Sequence, residues 1–385
     1  MGLFDTPRAF LQIFGIWPVE TIDTDFKRNM YMTYRAFQIG WYTLFNISQT
    51  IECIGLILHG EPFERISKCI SVLVTLVLML WKGIIYLRNK IPQMCLMVIE
   101  AEKALIKLED KEIRATYDHM AKSNHYMNIW IIGSSVFTLI AFIVVSFIEL
   151  FTIGPDFWEY DNISFMHELY LPFKKRDHYY LIIFANIFTA VVSVVLNAAI
   201  QTTFFGLIAY ASIRLKAIQI GLEKLHVVSK SVSDTERILK GFLQEHRDSI
   251  RFVEELNEAT KNVLLMSFLL NSIKVAAVLF QIMAVRKLAV LVFPIFYSFM
   301  LISEVFCLGW MCNEVKDQSL AIADAAYNTL WYNESKSIKL MLQIMIMRAQ
   351  KPLTMTIGSF SPMSTDTIVT TLKAAYSYTT VMMDH

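Results

Sequence analysis

Apolar residues arrive along this chain in long blocks separated by mixed segments. Residues 36–58, 66–86, 129–152, 179–213, 263–285 and 288–312 are each mostly apolar and reach or exceed the ~20 residues with which an α-helix crosses a bilayer. The fourth block has no charged residue from Tyr179 to Ser212. At about 1.5 Å per residue that is roughly 50 Å of helix, so it must tilt or project into water. Between the blocks, apolar positions recur every three or four residues. Segment 214–261 reads RLKAIQIGLEKLHVV, then the polar break SKSVSDTE, then RILKGFLQEHRDSIRFVEELNEATK. Ser233 or Asp234 is the expected N-cap after the break, followed by Glu236. Segment 314–350 behaves alike, with Leu320, Ala323, Leu330, Leu340 and Ile344 among acidic and basic residues. Amphipathic helices of this kind bury an apolar stripe only against neighbours, and the expected task of these is assembly.

The last segment, 364–383, has the length of a seventh span but is not apolar all round. Asp366, Thr370, Lys373, Ser377, Val381 and Asp384 follow one another at steps of three or four and share one helical face, while Ile368, Leu372, Ala375, Thr379 and Met382 form another. Charged side chains facing lipid would cost a few kcal/mol each, and facing a water-filled lumen they cost little. Two arrangements satisfy this pattern: one polar stripe per subunit around a shared axis, which makes a pore, or packing of the stripe within one subunit.

Composition narrows the class. The chain has 385 residues, 55% apolar, 13% aromatic and 18% charged, with a mean hydropathy of +0.46, and a soluble domain carries nearer a quarter charged residues. It is read as a multi-pass membrane protein in contact with the lipid bilayer. The net charge of +1 offers no basic field for nucleic acid. Cys53, Cys69, Cys307 and Cys312 lie in apolar stretches and Cys95 in a Lys-rich one, without ligand spacing, so they read as buried small residues and neither a disulfide framework nor a metal site is expected. The N-terminal stretch MGLFDTPRAFLQIFGIWPVE does not read as a signal peptide. The eight histidines are scattered and there is no Gly-rich phosphate loop, so an enzyme is not expected, nor a cofactor.

Basic residues set the orientation. Segments 1–35, 82–128, 214–261 and 314–360 hold 26 Lys and Arg, whereas the connections on the other side hold seven: Arg65, Lys68, Lys174, Lys175, Arg176, Arg286 and Lys287. The N-terminus is therefore expected in the cytoplasm and, with seven spans, the C-terminus outside. That inverts the G-protein-coupled receptor plan, whose Asp/Glu-Arg-Tyr triplet and seventh-span Asn-Pro are also missing. Of three Asn-x-Ser tripeptides, Asn162 falls in an outer loop and is the glycosylation candidate, whereas Asn46 lies within a span and Asn333 on the cytoplasmic side.

The C-terminal third carries a family resemblance. Cys312-Asn313-Glu314, Ala326-Tyr327, Trp331-Tyr332, Arg348-Ala349-Gln350-Lys351-Pro352 and Ser377-Tyr378 follow in order, and the region resembles the insect odorant receptors. The resemblance implies an all-α membrane protein of seven transmembrane helices, N-terminus cytoplasmic, with long cytoplasmic helical extensions forming an assembly region. It implies a six-span bundle over 1–313 with an odorant pocket in its outer half, including cytoplasmic helices 82–128 and 214–261, then cytoplasmic anchor helices over 314–360 and a pore-lining seventh helix over 361–385. The implied function is an odorant-gated non-selective cation channel subunit in a tetramer with co-receptor subunits, in the plasma membrane of olfactory sensory neuron dendrites. The chain lacks the insertion between spans four and five expected of the co-receptor, so it is similar to a ligand-tuned subunit. It also lacks the terminal Tyr-x5-Gln-Phe of the gustatory receptors, reading TTVMMDH after Tyr378. A gustatory-type channel of the same fold and a secondary transporter are the alternatives; a transporter should show repeat symmetry and broken helices at midplane.

Aligned to that family, Val381 falls at the gate, with Asp384 one turn beyond at the mouth and Ser377 and Lys373 deeper in the lumen. The ligand-binding candidates are Val72, Thr75 and Leu76 on span two, Ser135, Thr138 and Phe142 on span three, Phe184, Phe188 and Val191 on span four, and Phe296, Tyr297 and Met300 on span six. Thr75, Thr138 and Tyr297 are the candidate polar handles. The ligand implied is a small, volatile, mostly apolar molecule selected by shape and volume. Lys274 and Glu304 are charged residues inside spans, read as pairing or reaching toward the interface, or as coupling pocket to pore.

Overall fold

The computed structural model describes residues 2–61, 63–106, 110–153, 167–173, 175–229, 231–284 and 288–383. Helices dominate: α1 Asp5–Phe14, α2 Asp25–Leu58, α3 Phe63–Arg88, α4 Ile91–Ile106, α5 Lys111–Ile153, α6 Tyr179–Glu223, α7 Leu225–Val228, α8 Val232–Ala284, α9 Leu288–Tyr327, α10 Lys336–Ala349 and α11 Thr365–Met383. A two-residue hairpin, β1 Thr356–Ile357 antiparallel to β2 Ser361–Pro362, precedes α11. Each apolar block falls in one helix, in order α2, α3, α5, α6, α8 and α9, and most helices continue well past their block because the three-and-four periodicity persists into the mixed segments. By length and composition, two helices among the described residues are apolar enough to cross a membrane, Tyr179–Glu223 and Ile295–Tyr327.

Local chemistry sets the helix ends. The sequence points to Ser233 or Asp234 as the cap of α8, but Ser231 takes that role: its hydroxyl accepts from the Asp234 amide at 3.3 Å and its carbonyl from the Thr235 amide at 3.0 Å. Ser335 caps α10, accepting from the Ile338 amide, and Arg348 in the last turn suits the negative helix end. Gly15 closes α1 at φ +87, a conformation strained for any side chain, while the Ile16 amide donates back to the Leu11 carbonyl at 3.0 Å.

The chain divides into two compact units, one of residues 6–93 and 129–202, the other of 1–5, 94–128 and 203–385. In the first, α2 and α3 pack as neighbours around Cys53, Leu56 and Cys69, with Ile66 and Leu73 against them. Helix α2 is joined to α6 by the Trp41 indole N–H on Thr189 (3.0 Å) and by Tyr42 and Ser193 hydroxyls 2.9 Å apart. The start of α2 is tied to the chain before it through Arg35, which donates to the carbonyls of Gly15 and Trp17 and lies over the Tyr31 ring.

In the second unit, α10 and α11 both pack against α8 and α9. Residues Thr203–Ile213 of α6 are all buried, and Phe4 lies so close to Gly206 that an added Cβ would sit 3.2 Å from its ring. Glu102 accepts from the Leu3 amide at 2.8 Å and from the Tyr117 hydroxyl, so a buried carboxylate fixes the first residues of the unit. Gln219 donates to the Gln318 backbone and side-chain oxygens, both at 2.8 Å, linking α6 to α9. Lys224 bridges Asp110 and Glu112, each at 2.8 Å. The hairpin is clipped to α8: the Thr356 amide donates to Asn257 Oδ1 at 2.7 Å and the Gly358 amide to the Lys261 carbonyl at 2.9 Å.

Candidate pore helix and ligand-binding elements

Helix α11 is built asymmetrically. Ser364 caps it through the Thr367 amide, with Asp366 in the first turn where a carboxylate suits the helix dipole. Ile368 is buried against Gly309 of α9, where a Cβ would come within 2.1 Å of its Cδ1. One turn on, Leu372 joins Val275, Val278, Leu301 and Tyr297 in an apolar cluster with α8 and α9. The opposite side carries Asp366, Thr370, Lys373 and Ser377, all exposed. Thr370 and Ser377 donate to the carbonyls of Asp366 and Lys373, at 2.9 and 3.0 Å. Val369 and Tyr376 share this exposed side. Neither belongs to the polar stripe that the spacing predicts, although each lies three residues beyond a member of it. Val381 lies on the helix with its side chain outside the described residues, as does Asp384 altogether.

The ligand candidates divide between the units. In the first, Leu76 is buried and Val72 and Thr75 are half-buried on α3. On α5, Ser135 accepts from the Asn197 side chain of α6 at 3.4 Å, a polar neighbour outside the predicted set of ligand contacts. Thr138 donates to the Ser134 carbonyl at 2.9 Å and so offers its oxygen as an acceptor; the Phe142 side chain lies outside the described residues. On α6, Phe188 meets Trp41 edge-on at 5.4 Å and stacks on Phe184 at 6.2 Å, while Phe184 and Val191 are exposed. In the second unit, Phe296 and Tyr297 are half-buried and Met300 is buried, with Tyr297 packed on the α8–α9–α11 cluster. Lys274 and Glu304 interact electrostatically there. An open groove of about 420 Å³ beside the hairpin is lined by Asn257, Lys261, Thr356 and Phe360 among others; its polar, open character does not suit an apolar ligand.

The segment between α5 and α6 has its own electrostatics. His167 is buried edge-on against Phe45, its amide donating to Asn186 Oδ1 at 2.7 Å, and burial lowers its imidazole pKa to about 4. Beside it, Glu168 receives Arg65 at 3.0 Å. Asn162 lies outside the described residues.

A helical membrane receptor is the class that these long apolar helices and the one-sided terminal helix define. The sequence matches the model of the family described as 7tm Odorant receptor over residues 63–376, and the chain belongs to that family, whose members are odorant-gated cation channels rather than enzymes. It is 33% identical over 185 residues to Odorant receptor 10 of Aedes albopictus, covering 48% of each chain. With Odorant receptor Or2 of Anopheles gambiae it shares 31% over 182 residues, 47% of this chain and 48% of that one. The matches thus span about half the length of these relatives. The odorant receptor coreceptor of Aedes aegypti is 25% identical over 38% of this chain and 30% of its own length, and this chain is not the co-receptor. The fold matches the olfactory receptor OR5 of Machilis hrabei, solved with eugenol, at a TM-score of 0.81, covering 98% of this chain and 96% of that one at 15% identity.

Proposed function

We propose that this chain is the ligand-tuned subunit of an odorant-gated, non-selective cation channel, assembled with co-receptor subunits in a tetramer of the plasma membrane. The supporting observation is the two-sidedness of α11: Ile368 and Leu372 are spent on α8 and α9, while Asp366, Thr370, Lys373 and Ser377 are left facing outward. A polar face that cannot be lent to lipid finds water in a lumen shared by several copies. In this reading seven spans place the N-terminus in the cytoplasm. Val381 forms the apolar constriction that closes by dewetting, with Asp384 gathering cations at the mouth. The ligand is a small, mostly apolar odorant. Val72, Thr75, Leu76, Ser135, Thr138, Phe184, Phe188 and Val191, with Phe142, Phe296, Tyr297 and Met300, are its candidate contacts, and Thr75, Thr138 and Tyr297 supply polarity.

The test is electrical. Co-expressed with the family's co-receptor, the chain passes odorant-evoked cation current without an imposed substrate gradient. Flux strictly coupled to a transported substrate would overturn the channel reading. Enlarging Ser135 or Thr138 to Phe shifts the response toward smaller odorants with expression intact; an unchanged odorant ranking in both variants would return these residues to helix packing.

A further inference from the structure

We propose that Cys53 and Cys69 form a disulfide that ties the outer end of α2 to the outer end of α3. The two side chains come from different helices and are buried in one cluster with Leu56. Both are free, buried thiols in the structure, packed in that one cluster. Helices packed as neighbours, as α2 and α3 are, can bring two such side chains to the sulfur–sulfur length of about 2 Å that a disulfide needs. Cys53 precedes the end of α2 by five residues and Cys69 follows the start of α3 by six, about 8–9 Å of helix. The pair therefore lies near the ends that the proposed orientation turns outward, and the inference rests on that reading. Thiols on this side meet the oxidising secretory lumen during synthesis.

The oxidant is a protein disulfide of that lumen. One cysteine thiolate attacks it to give a mixed disulfide, the second displaces the carrier, and the carrier leaves as a dithiol, so two electrons and two protons pass from the receptor to it. The step precedes packing; once the helices close, the pair is buried and no longer open to exchange. Arg65, one turn outward from Cys69 on α3, is held by Glu61 at 3.3 Å and Glu168 at 3.0 Å, which covers that end of the cluster with an ion pair. The tether would bear on ligand recognition, because Val72, Thr75 and Leu76 occupy the next two turns of α3.

The experiment uses the full chain co-expressed with co-receptor and recovered from the cell surface. After denaturation without reductant, a maleimide mass tag counts free thiols. The chain has five cysteines, so three tags are expected before reduction and five after. Tryptic peptides 36–65 and 69–82 should be recovered linked. The variants C53A, C69A and C53A/C69A should each shift odorant sensitivity by the same factor, because removal of either sulfur removes the whole bond. Five tags before reduction, a linkage between other peptides, or single-variant shifts that sum in the double would each overturn the disulfide. An N-terminal tag scored on the same cells separates the two readings. Five free thiols with that tag inside sink the disulfide and leave the channel reading intact, and the tag outside overturns the orientation together with the disulfide.

Discussion

At the scale of single residues, buried histidine gives the fold a pH dependence of definite sign. His246 on α8 is buried, and burial first, then the nearby Arg348 charge, lowers its pKa to about 4 from the usual 6.5. Arg348 itself reaches Glu254 at 3.6 Å, so part of its field is offset. Between pH 6.5 and 4 the unfolded chain carries a proton on this imidazole that the folded chain refuses. The associated stability is therefore fully present above pH 6.5 and is lost as the pH falls through this window. His167, also lowered to about 4 by burial, acts in the same direction. In detergent, the fluorescence-monitored melting temperature is expected to fall on acidification from pH 7 to 5. His246→Gln, which cannot take up the proton, should flatten part of that slope and leave the share belonging to His167. Superimposable pH profiles for the variant and the parent would remove His246 from this role.

At the scale of elements, α11 depends on its fit to α9. Because a Cβ on Gly309 would lie 2.1 Å from Ile368 Cδ1, Gly309→Ala forces the buried Ile368 side chain out of its place against α9, at about 1–3 kcal/mol typical of overpacking. Ile368→Val removes the clashing methyl, so the double variant G309A/I368V is expected to regain surface expression and melting temperature lost in the single; no recovery would mean the strain lies elsewhere. On the free side of the helix, Val381→Ser should wet the resting pore and raise basal current, whereas Asp384→Asn should lower cation conductance and leave the odorant dose dependence in place. If both leave basal current, conductance and selectivity untouched in protein that reaches the surface, α11 does not line the pore. This helix was the most legible part of the sequence, since alternating polar and apolar stripes at helical spacing are a direct record of two environments. The six apolar blocks were legible for a different reason, their length, since about 20 mostly apolar residues in a row leave few alternatives to a helix. The hairpin at 356–362 was not, because two-residue strands carry no period and are set by Asn257 and the Lys261 carbonyl, nearly a hundred residues away. The cap of α8 lies two or three residues before the expected Ser233 or Asp234, because Ser229, Ser231, Ser233, Asp234 and Thr235 offer similar capping power. Aromatic spacing also could not tell exposed Phe184 from half-buried Phe188, since only the partner Trp41, distant in sequence, distinguishes them.

At the scale of the whole molecule, the proposed orientation in the membrane rests on charge. Segments 1–35, 82–128, 214–261 and 314–360 hold 26 basic residues and the opposite connections seven. Several of the 26 are engaged in structure, as Lys224 is with Asp110 and Glu112 and Arg214 with Glu245 at 2.5 Å. Pairing in the folded state does not cancel the bias, because orientation is fixed during insertion and acidic residues contribute little to it. An N-terminal epitope should therefore stain only after permeabilisation, and a C-terminal one on intact cells. Asn162 gives an independent readout from the middle of the chain: if the segment between α5 and α6 faces outward, glycosidase treatment shifts the gel mobility of the parent, and Asn162→Gln abolishes that shift. Staining of the N-terminal tag on intact cells would overturn the orientation, and with it the assignment of Asp384 to an outer mouth, because Asp384 would then face the cytoplasm at the far end of the same helix.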